Sequence, residues 1–562
     1  MRRLTATALA LGLVLLAPGK ARAGEIIVDF FAAPGTGFAD PTPVVPVGGN
    51  PGLTLGQQRI FVFLQAASIW TEVLKPKVDV YVAAQFASLG PNVLGSAGAR
   101  TIWADFPGAE IPNTWYFVAL ANQLAGEDLD PTGYHILANF SSDFAFYLGF
   151  DNNDPPGTAD LLPVVLHELG HGLGFANAVT EATGARPLGL GDVYSEYTLD
   201  VSTFKGWNEM TDAERAASAV NTRHVSWSGI NVNRAVPKVL DRGEPIMTVS
   251  SPAGLGPYAV GTASFGTALT SSGVSGQLAL GLDPADAAGP STGDACSPLT
   301  NAPQVAGNIA LVDRGTCPFT VKVKNAQNAG AIAVVVADNV LSEPPSGLGG
   351  ADPTITIPSV RVSLTTGNAL KAALASGPVS VSLKVDLAVR AGTDRVLRLM
   401  MLAAFNPVQP GSSISHYEPV ALPNQLMEPA INVDLTSSVQ PPEDLTTPLL
   451  TDIGWFSDQD GVPDGRDACI GSPSSALVEI GTCVSKAPNT VFFNGCRIAD
   501  LVNDCKGPKD RFDDRFEDCV ERLSERLYKL RILNKREAQS LEQCAKKASE
   551  DDDHGHGRGH HD

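Results

Sequence analysis

Apolar residues recur along this chain in two rhythms, and the changes between them divide it. Between Leu55 and Leu74, the positions Ile60, Phe61, Phe63, Leu64, Ala67, Ile69 and Trp70 keep a mostly helical spacing and predict a helix. Val78-Asp79-Val80-Tyr81-Val82 alternates and predicts a strand, and Tyr134 to Phe140 predicts another. The run from Ala159 to Leu166 reads as a buried helix. Residues 24 to about 54 are rich in Gly and Pro and are expected to wrap the surface. From about Ala235 to Arg390 the rhythm changes to short Val/Ala/Ile runs separated by Gly, Pro and Ser. Within it, Ile309–Val312 predicts a strand, Val321–Ala329 a helix and Ala331–Ala337 a fully buried strand, a βαβ arrangement in a mostly β segment. From about Ser412 the earlier character returns, and a helix is expected to end at Gly454 within Leu449-Leu450-Thr451-Asp452-Ile453-Gly454-Trp455. Phe512, Phe516, Cys519, Val520, Leu523, Leu527 and Leu530 share one helical face, and a second helix is expected from Arg536 to Ala548.

Composition narrows the setting. The 562 residues suffice for about three or four domains, and 44% apolar with 18% charged residues is ordinary for a globular protein. A formal net charge of -20 argues against nucleic-acid binding, which needs a basic footprint. Arg2-Arg3, the apolar run Leu4 to Ala17 and Ala21-Arg22-Ala23 form a signal-peptide pattern, so the mature chain is expected to begin at Gly24. No later stretch is apolar for long enough to span a bilayer, and the expected location is secreted, with a periplasm as the alternative. Eight cysteines suit an oxidising compartment. Cys296 and Cys317 are expected to pair. Cys469, Cys483, Cys496, Cys505, Cys519 and Cys544 crowd the C-terminal region, where pairing cannot be read from order alone.

The chemistry centres on His167-Glu168-Leu169-Gly170-His171. Histidines four apart share one helical face, so both imidazoles can bind one zinc ion, with Glu168 beside it as a general base. A catalytic zinc usually has three protein ligands and one open position. The motif resembles that of the metzincin zinc proteases, most of which have the third ligand as a histidine ten residues after the first, where this chain has Asn177. Of nine histidines, two are in the motif and four (His554, His556, His560, His561) lie in the tail, leaving His135, His224 and His416. His135 reads as a packed or surface residue. His224, a carboxylate such as Glu196, or no third protein ligand remain alternatives to His416.

Ser415-His416-Tyr417-Glu418-Pro419, followed by Asn424-Gln425-Leu426-Met427-Glu428-Pro429 and by Asp452-Ile453-Gly454-Trp455, resembles the leishmanolysin branch of the metzincin zinc proteases. The turn expected at Gly174 fits the same resemblance. It implies His416 as third ligand after a long insertion, and Met427 as the methionine turn beneath the metal. Gly307 to Phe319, with Lys324-Asn325-Ala326-Gln327-Asn328-Ala329-Gly330-Ala331, closely resembles a protease-associated (PA) domain, a non-catalytic module thought to restrict or recruit protein substrates. Asp458-Gln459-Asp460-Gly461-Val462-Pro463-Asp464-Gly465-Arg466-Asp467 resembles a thrombospondin type 3 calcium loop, with Asp458, Asp460, Asp464 and Asp467 as candidate ligands.

The expected architecture is α+β. A signal peptide (1–23) precedes a metzincin-like catalytic domain (24–234 and 391–456), interrupted by the PA domain (235–390). An Asp-rich linker (457–470), a Cys-rich helical domain (471–550) and a disordered Asp/His tail (551–562) follow. The expected activity is hydrolysis of protein or peptide substrates by a zinc metalloendopeptidase, with zinc and calcium as cofactors. The alternatives are a secreted binding or adhesion protein on the same scaffold, and a zinc hydrolase of non-peptide substrates.

Overall fold

The computed structural model describes residues 23–431, 434–506, 512 and 514–556. All of the expected signal peptide except Ala23 lies outside these residues.

The N-terminal unit is built on a four-stranded sheet. Strands β1 (Ile26–Phe31) and β2 (Val80–Ala87) are parallel, joined by helix α1 (Leu55–Leu74). Strand β3 (Gly95–Ala99) runs antiparallel to β4 (Ile136–Ser141), and β4 lies parallel to β2, giving the order β1-β2-β4-β3 with β3 at an edge. The Thr54 side chain caps α1 by accepting from Gln57 N–H, and the helix ends where Lys75 turns left-handed at φ 47°. Its buried stripe Val62, Phe63, Ala66, Ala67, Trp70 packs on the sheet and on α2 (Leu161–Gly172). The Trp70 indole donates to the Leu166 carbonyl at 3.1 Å, fixing α1 to the middle of α2.

Two expectations need correction here. The Gly/Pro-rich segment 24–54 does more than wrap the surface. Its Ile26 and Val28 are buried, and β1 pairs along its whole length with β2. Six residues of alternating burial are too short a signal to stand out beside the following turns. The boundary at 235 also falls inside a helix, α3 (Ile230–Val239). Val232, Val236 and Val239 on α3 join the same core as α2, so the insertion begins only after Leu240.

That insertion is an eight-stranded mixed sheet. Strands β5 (Arg242–Ser251), β6 (Val274–Leu280), β7 (Ile309–Asp313), β8 (Ala333–Ala337), β9 (Ser359–Val362) and β10 (Ser380–Arg390) lie in the order β5-β10-β6-β7-β8-β9, with a two-residue strand at each edge. Helix α4 (Phe319–Asn328) connects the parallel pair β7 and β8. The insertion starts and ends at one place, because Arg242 pairs with Arg390 and Ala391 N–H donates to Asp241 O. Its length therefore adds little closure cost to the unit it interrupts. The chain re-enters as an extended segment whose Met400 and Leu402 bond to Trp227 and Val225, while Ala403 exchanges backbone bonds with Ile414 and His416. Helix α5 (Thr446–Asp452) closes the unit. The Asp452 carboxylate accepts from the Trp227 indole, the Asn231 backbone and side chain, and Val232 N–H, so it caps α3. Trp455 donates from its indole to Leu173 O at 2.8 Å.

The C-terminal unit is a two-stranded hairpin (Leu477–Ile480 and Cys483–Pro488) packed on one of two paired helices, α6 (Asp514–Lys529) and α7 (Lys535–His556), the hairpin lying against α7. Disulfides join Cys469–Cys496, Cys483–Cys544 and Cys505–Cys519, and Cys296–Cys317 pair as expected. Leu530 departs from the expected apolar face. It lies beyond the end of α6 and is 59% exposed, where the chain turns at Arg531. The tail departs too, since α7 runs through His556 by continuing the Lys535 helix, while residues 557–562 lie outside the described residues. The chain is thus a mixed α/β protein with four disulfides. Among the described residues no helix is long and apolar enough to cross a membrane. Both facts are consistent with secretion.

Candidate metal centre

Helix α2 is apolar on nearly every side, so it is buried on nearly every side. Asp160 caps its start by accepting from Leu162 N–H at 3.1 Å. His167 and His171 leave one face of its last two turns. The third imidazole comes from the extended segment that re-enters after the insertion: His416 Nε2 lies 3.2 Å from both His171 Nε2 and His167 Nε2, and the latter two are 3.1 Å apart. Each Nδ1 faces a backbone carbonyl, His167 that of Leu426 at 2.7 Å, His171 that of Phe175 at 2.8 Å and His416 that of Ser412 at 2.9 Å. A carbonyl only accepts, so each Nδ1 carries the proton and each Nε2 presents a lone pair. Burial lowers all three imidazoles, His167 to about 4, His171 to about 3 with His167 adding to the effect, and His416 well below its usual value.

Three lone pairs aimed at one point repel unless a cation sits among them. Zinc–nitrogen bonds of about 2.0–2.1 Å in a tetrahedron place the nitrogens roughly 3.3 Å apart. The observed triangle fits that geometry.

Glu168 is buried beside this triangle, and burial pushes its carboxyl up to about 8 against the pull of the Ala97 backbone N–H. Ala97 and Gly95 belong to edge strand β3. A Cβ on Gly95 would lie 2.7 Å from Glu168 Oε1, so the carboxylate occupies space that only glycine leaves. Met427 is fully buried under α2. A Cβ on Gly170 would come within 2.9 Å of its Sδ, which places the thioether against the turn between the two motif histidines. Gly174, at φ 123°, turns the chain out after α2 as its position in the motif leads one to expect.

Asn177 donates from its side chain and its backbone to Ser415 Oγ, at 3.0 and 3.2 Å. It thereby ties the end of the motif segment to the neighbour of His416. The alternatives for the third position lie elsewhere. His135 is buried, with Nε2 3.2 Å from Asp128 Oδ1. His224 lines a cavity of about 410 Å³ at the seam with the insertion. Glu196 bonds to Arg466 and Asn208.

Gly95, Ala97 and Ser412 were not legible as site residues, because a lone glycine in a strand pattern and a backbone carbonyl leave no signature. The same holds for Glu418, buried two residues past His416 and 3.5 Å from Arg223 Nε, whose guanidinium also binds Glu244 on β5 of the insertion. A charged pair of residues flanking His416 and His224 was the only available hint.

The acidic loop resolves into two groups rather than one. Carboxylate oxygens of Asp458, Asp460 and Asp467 lie within 4.8 Å of one another. Asp460 Oδ2 and Asp467 Oδ2 are buried without a hydrogen-bond partner. Asp464 does not join them. The short helical turn Asp464–Arg466 carries it towards Glu110 of the N-terminal unit, whose Oε2 accepts from Asp464 N–H at 3.4 Å.

Similarity to known proteins covers a fraction of the chain. The family model described as PA domain matches residues 274–370, within the inserted sheet. Vacuolar-sorting receptor 2 of Arabidopsis thaliana is 44% identical over 104 residues, 16% of this chain and 17% of that protein. Signal peptide peptidase-like 4 of Oryza sativa is 41% identical over 92 residues, 16% of each. The chain thus spans about one sixth of the curated relatives it matches. A solved zinc aminopeptidase from Bacillus subtilis superposes on 28% of this chain and 36% of its own, with 24% identity and a TM-score of 0.20, too loose to bear on activity. The inserted module is therefore a PA domain, carried between the α2 and α5 halves of the unit that holds the three histidines.

Proposed function

We propose that this chain is an exported zinc metalloendopeptidase of leishmanolysin-like metzincin type, in which a catalytic unit split into 24–240 and 391–456 carries the PA domain as an insertion. The observation that carries this reading is the triangle of Nε2 atoms, 3.1–3.2 Å on a side, with Glu168 buried next to it. His167, His171 and His416 would hold zinc, which supplies Lewis acidity to a water and to a substrate carbonyl. The carbonyls of Leu426, Phe175 and Ser412 fix the imidazole tautomers. Glu168 takes the proton of the attacking water and returns it to the leaving amine. The Ala97 N–H and the gap at Gly95 hold its carboxylate in place. Met427 supports the helix from below. Calcium at Asp458, Asp460 and Asp467 would satisfy the orphaned oxygens there and stiffen the linker.

The PA match itself separates no readings, because its relatives carry the names of sorting receptors and of peptidases alike. The test is casein or mixed-peptide hydrolysis by the mature chain, with and without a zinc chelator, beside Glu168→Gln. Cleavage abolished by both treatments supports the zinc endopeptidase. No cleavage from zinc-loaded wild-type protein favours a binding or adhesion protein on this scaffold.

A further inference from the structure

Charged side chains alternate in sign from the His416 segment into the stem of the PA insertion. Glu418 lies two residues past His416 and is buried, and among the described residues neither of its carboxylate oxygens accepts a hydrogen bond. Its one ion pair among them is with Arg223, Nε to Oε1 at 3.5 Å. The same guanidinium donates from Nη1 to Glu244 Oε1. Glu244 Oε2 accepts from Arg395 Nη2 at 3.0 Å, and Arg395 Nη1 donates to Asp386 Oδ2 at 2.6 Å. Glu244 on β5 and Asp386 on β10 are cross-strand partners, two like charges that Arg395 holds together. These two strands are the ones that join the insertion to the unit it interrupts, through the Arg242–Arg390 pairing.

The backbone aims Arg223 at this place. It sits in the left-handed region at φ 63°, which a side chain other than glycine keeps only where its surroundings impose it. The turn that carries it is anchored to the segment leading to His416. The Thr222 hydroxyl donates to Ala404 O at 2.8 Å, and Leu402 N–H donates to Val225 O at 2.9 Å. Between those two residues, Ala403 N–H donates to His416 O at 2.9 Å. A buried carboxylate without hydrogen bonds is costly unless a countercharge stays beside it. Without Arg223, Glu418 can reach water only by pulling on the backbone that carries His416.

We propose that Arg223 is a positioning residue for the metal centre: by bridging Glu418 and Glu244, it makes the stem of the PA insertion part of the frame that holds His416 in the histidine triangle. This role rests on the zinc reading and is separate from any contact with substrate.

The test is the zinc affinity of the full mature chain, read by competition with a chromogenic chelator at one fixed pH. Glu244→Gln and Arg223→Met should each weaken zinc by about tenfold, the lower end of what losing support around a metal ligand costs. Arg223→Met combined with Glu418→Gln should bind zinc about as well as Glu418→Gln alone, because no buried charge is left stranded. Asp338→Asn controls for lost stability. It breaks the buried pairs with Arg314 and Arg361 inside the insertion, and should lower Tm while leaving zinc affinity unchanged. If Arg223→Met fails to fold, Glu244→Gln decides beside that control. Wild-type affinity in Glu244→Gln, an equal loss in Asp338→Asn, or additive losses in the double variant would overturn the positioning role and leave the zinc reading intact. Wild-type protein that takes up no zinc would overturn the zinc reading itself, and this role with it.

Discussion

Gly95→Ala tests the active-site reading without touching a motif residue. The added Cβ would lie 2.7 Å from Glu168 Oε1, 2.8 Å from Cγ and 3.0 Å from Cδ. Ordinary carbon–oxygen and carbon–carbon contact needs roughly 3.4–4.0 Å, so the carboxylate must retreat by about 0.5–1 Å. Glu168 stands on a buried helix, and the displacement falls on its side chain rather than on the backbone. Misplacing a catalytic group by about 1 Å can cost on the order of 100-fold, so casein turnover should fall about 10- to 100-fold, or about 1.4–2.7 kcal/mol of barrier. The fold should not suffer. Gly95 is a strand residue outside the left-handed region, and alanine in a strand is favoured over glycine by about 0.5–1 kcal/mol. The expected signature is lower turnover at unchanged zinc content and at an unchanged or slightly higher Tm. Turnover within twofold of wild type would show that Glu168 is not held by β3, and the role assigned to that contact would fail.

Further expectations follow from particular contacts. His416→Ala should lower bound zinc strongly in mature protein, and unchanged zinc stoichiometry would move suspicion to His224 or a carboxylate. Asp452→Ala strands four donors, from Trp227, Asn231 and Val232, in the core. At about 1–3 kcal/mol per unpaired group it should destabilise by about 4 kcal/mol or more in denaturant unfolding, and a change below about 1 kcal/mol would contradict the capping role. Burial pushes the Asp160 carboxyl up to about 6, above the usual value of about 3.9 for an unfolded chain. The fold therefore prefers its protonated form, and that stability, present below about pH 4, is lost as pH rises through about 6. Asp160→Asn, which keeps a capping oxygen, should flatten this fall, and an unaltered slope in the denaturation midpoint would remove Asp160 as its source.

How far the sequence reached depends on the range of the interaction. α1 was legible to the residue, from Leu55 to Leu74, because helical spacing is set by neighbours a turn apart. The facing of His167 and His171 followed for the same reason. β7, α4 and β8 were visible because fully buried strands leave unbroken apolar runs, and the PA resemblance added specific residues to that pattern. β1 was missed, since its burial depends on β2 more than fifty residues away. The α3 boundary was missed because a change in composition marks a change of surface, not the end of a helix.

The meeting of His416 with the other two histidines shows the division most clearly. The sequence determined the candidate ligand types and, by resemblance, the segment expected to carry the third. Only the tertiary structure brings that segment across 245 residues, through the Arg242–Arg390 pairing and the backbone bonds of Val225, Leu402, Ala403 and His416. Those contacts, like the space at Gly95, are made by backbone and packing. Backbone groups are the same in every residue, so the order of side chains cannot encode them singly, and they exist only once the chain has closed.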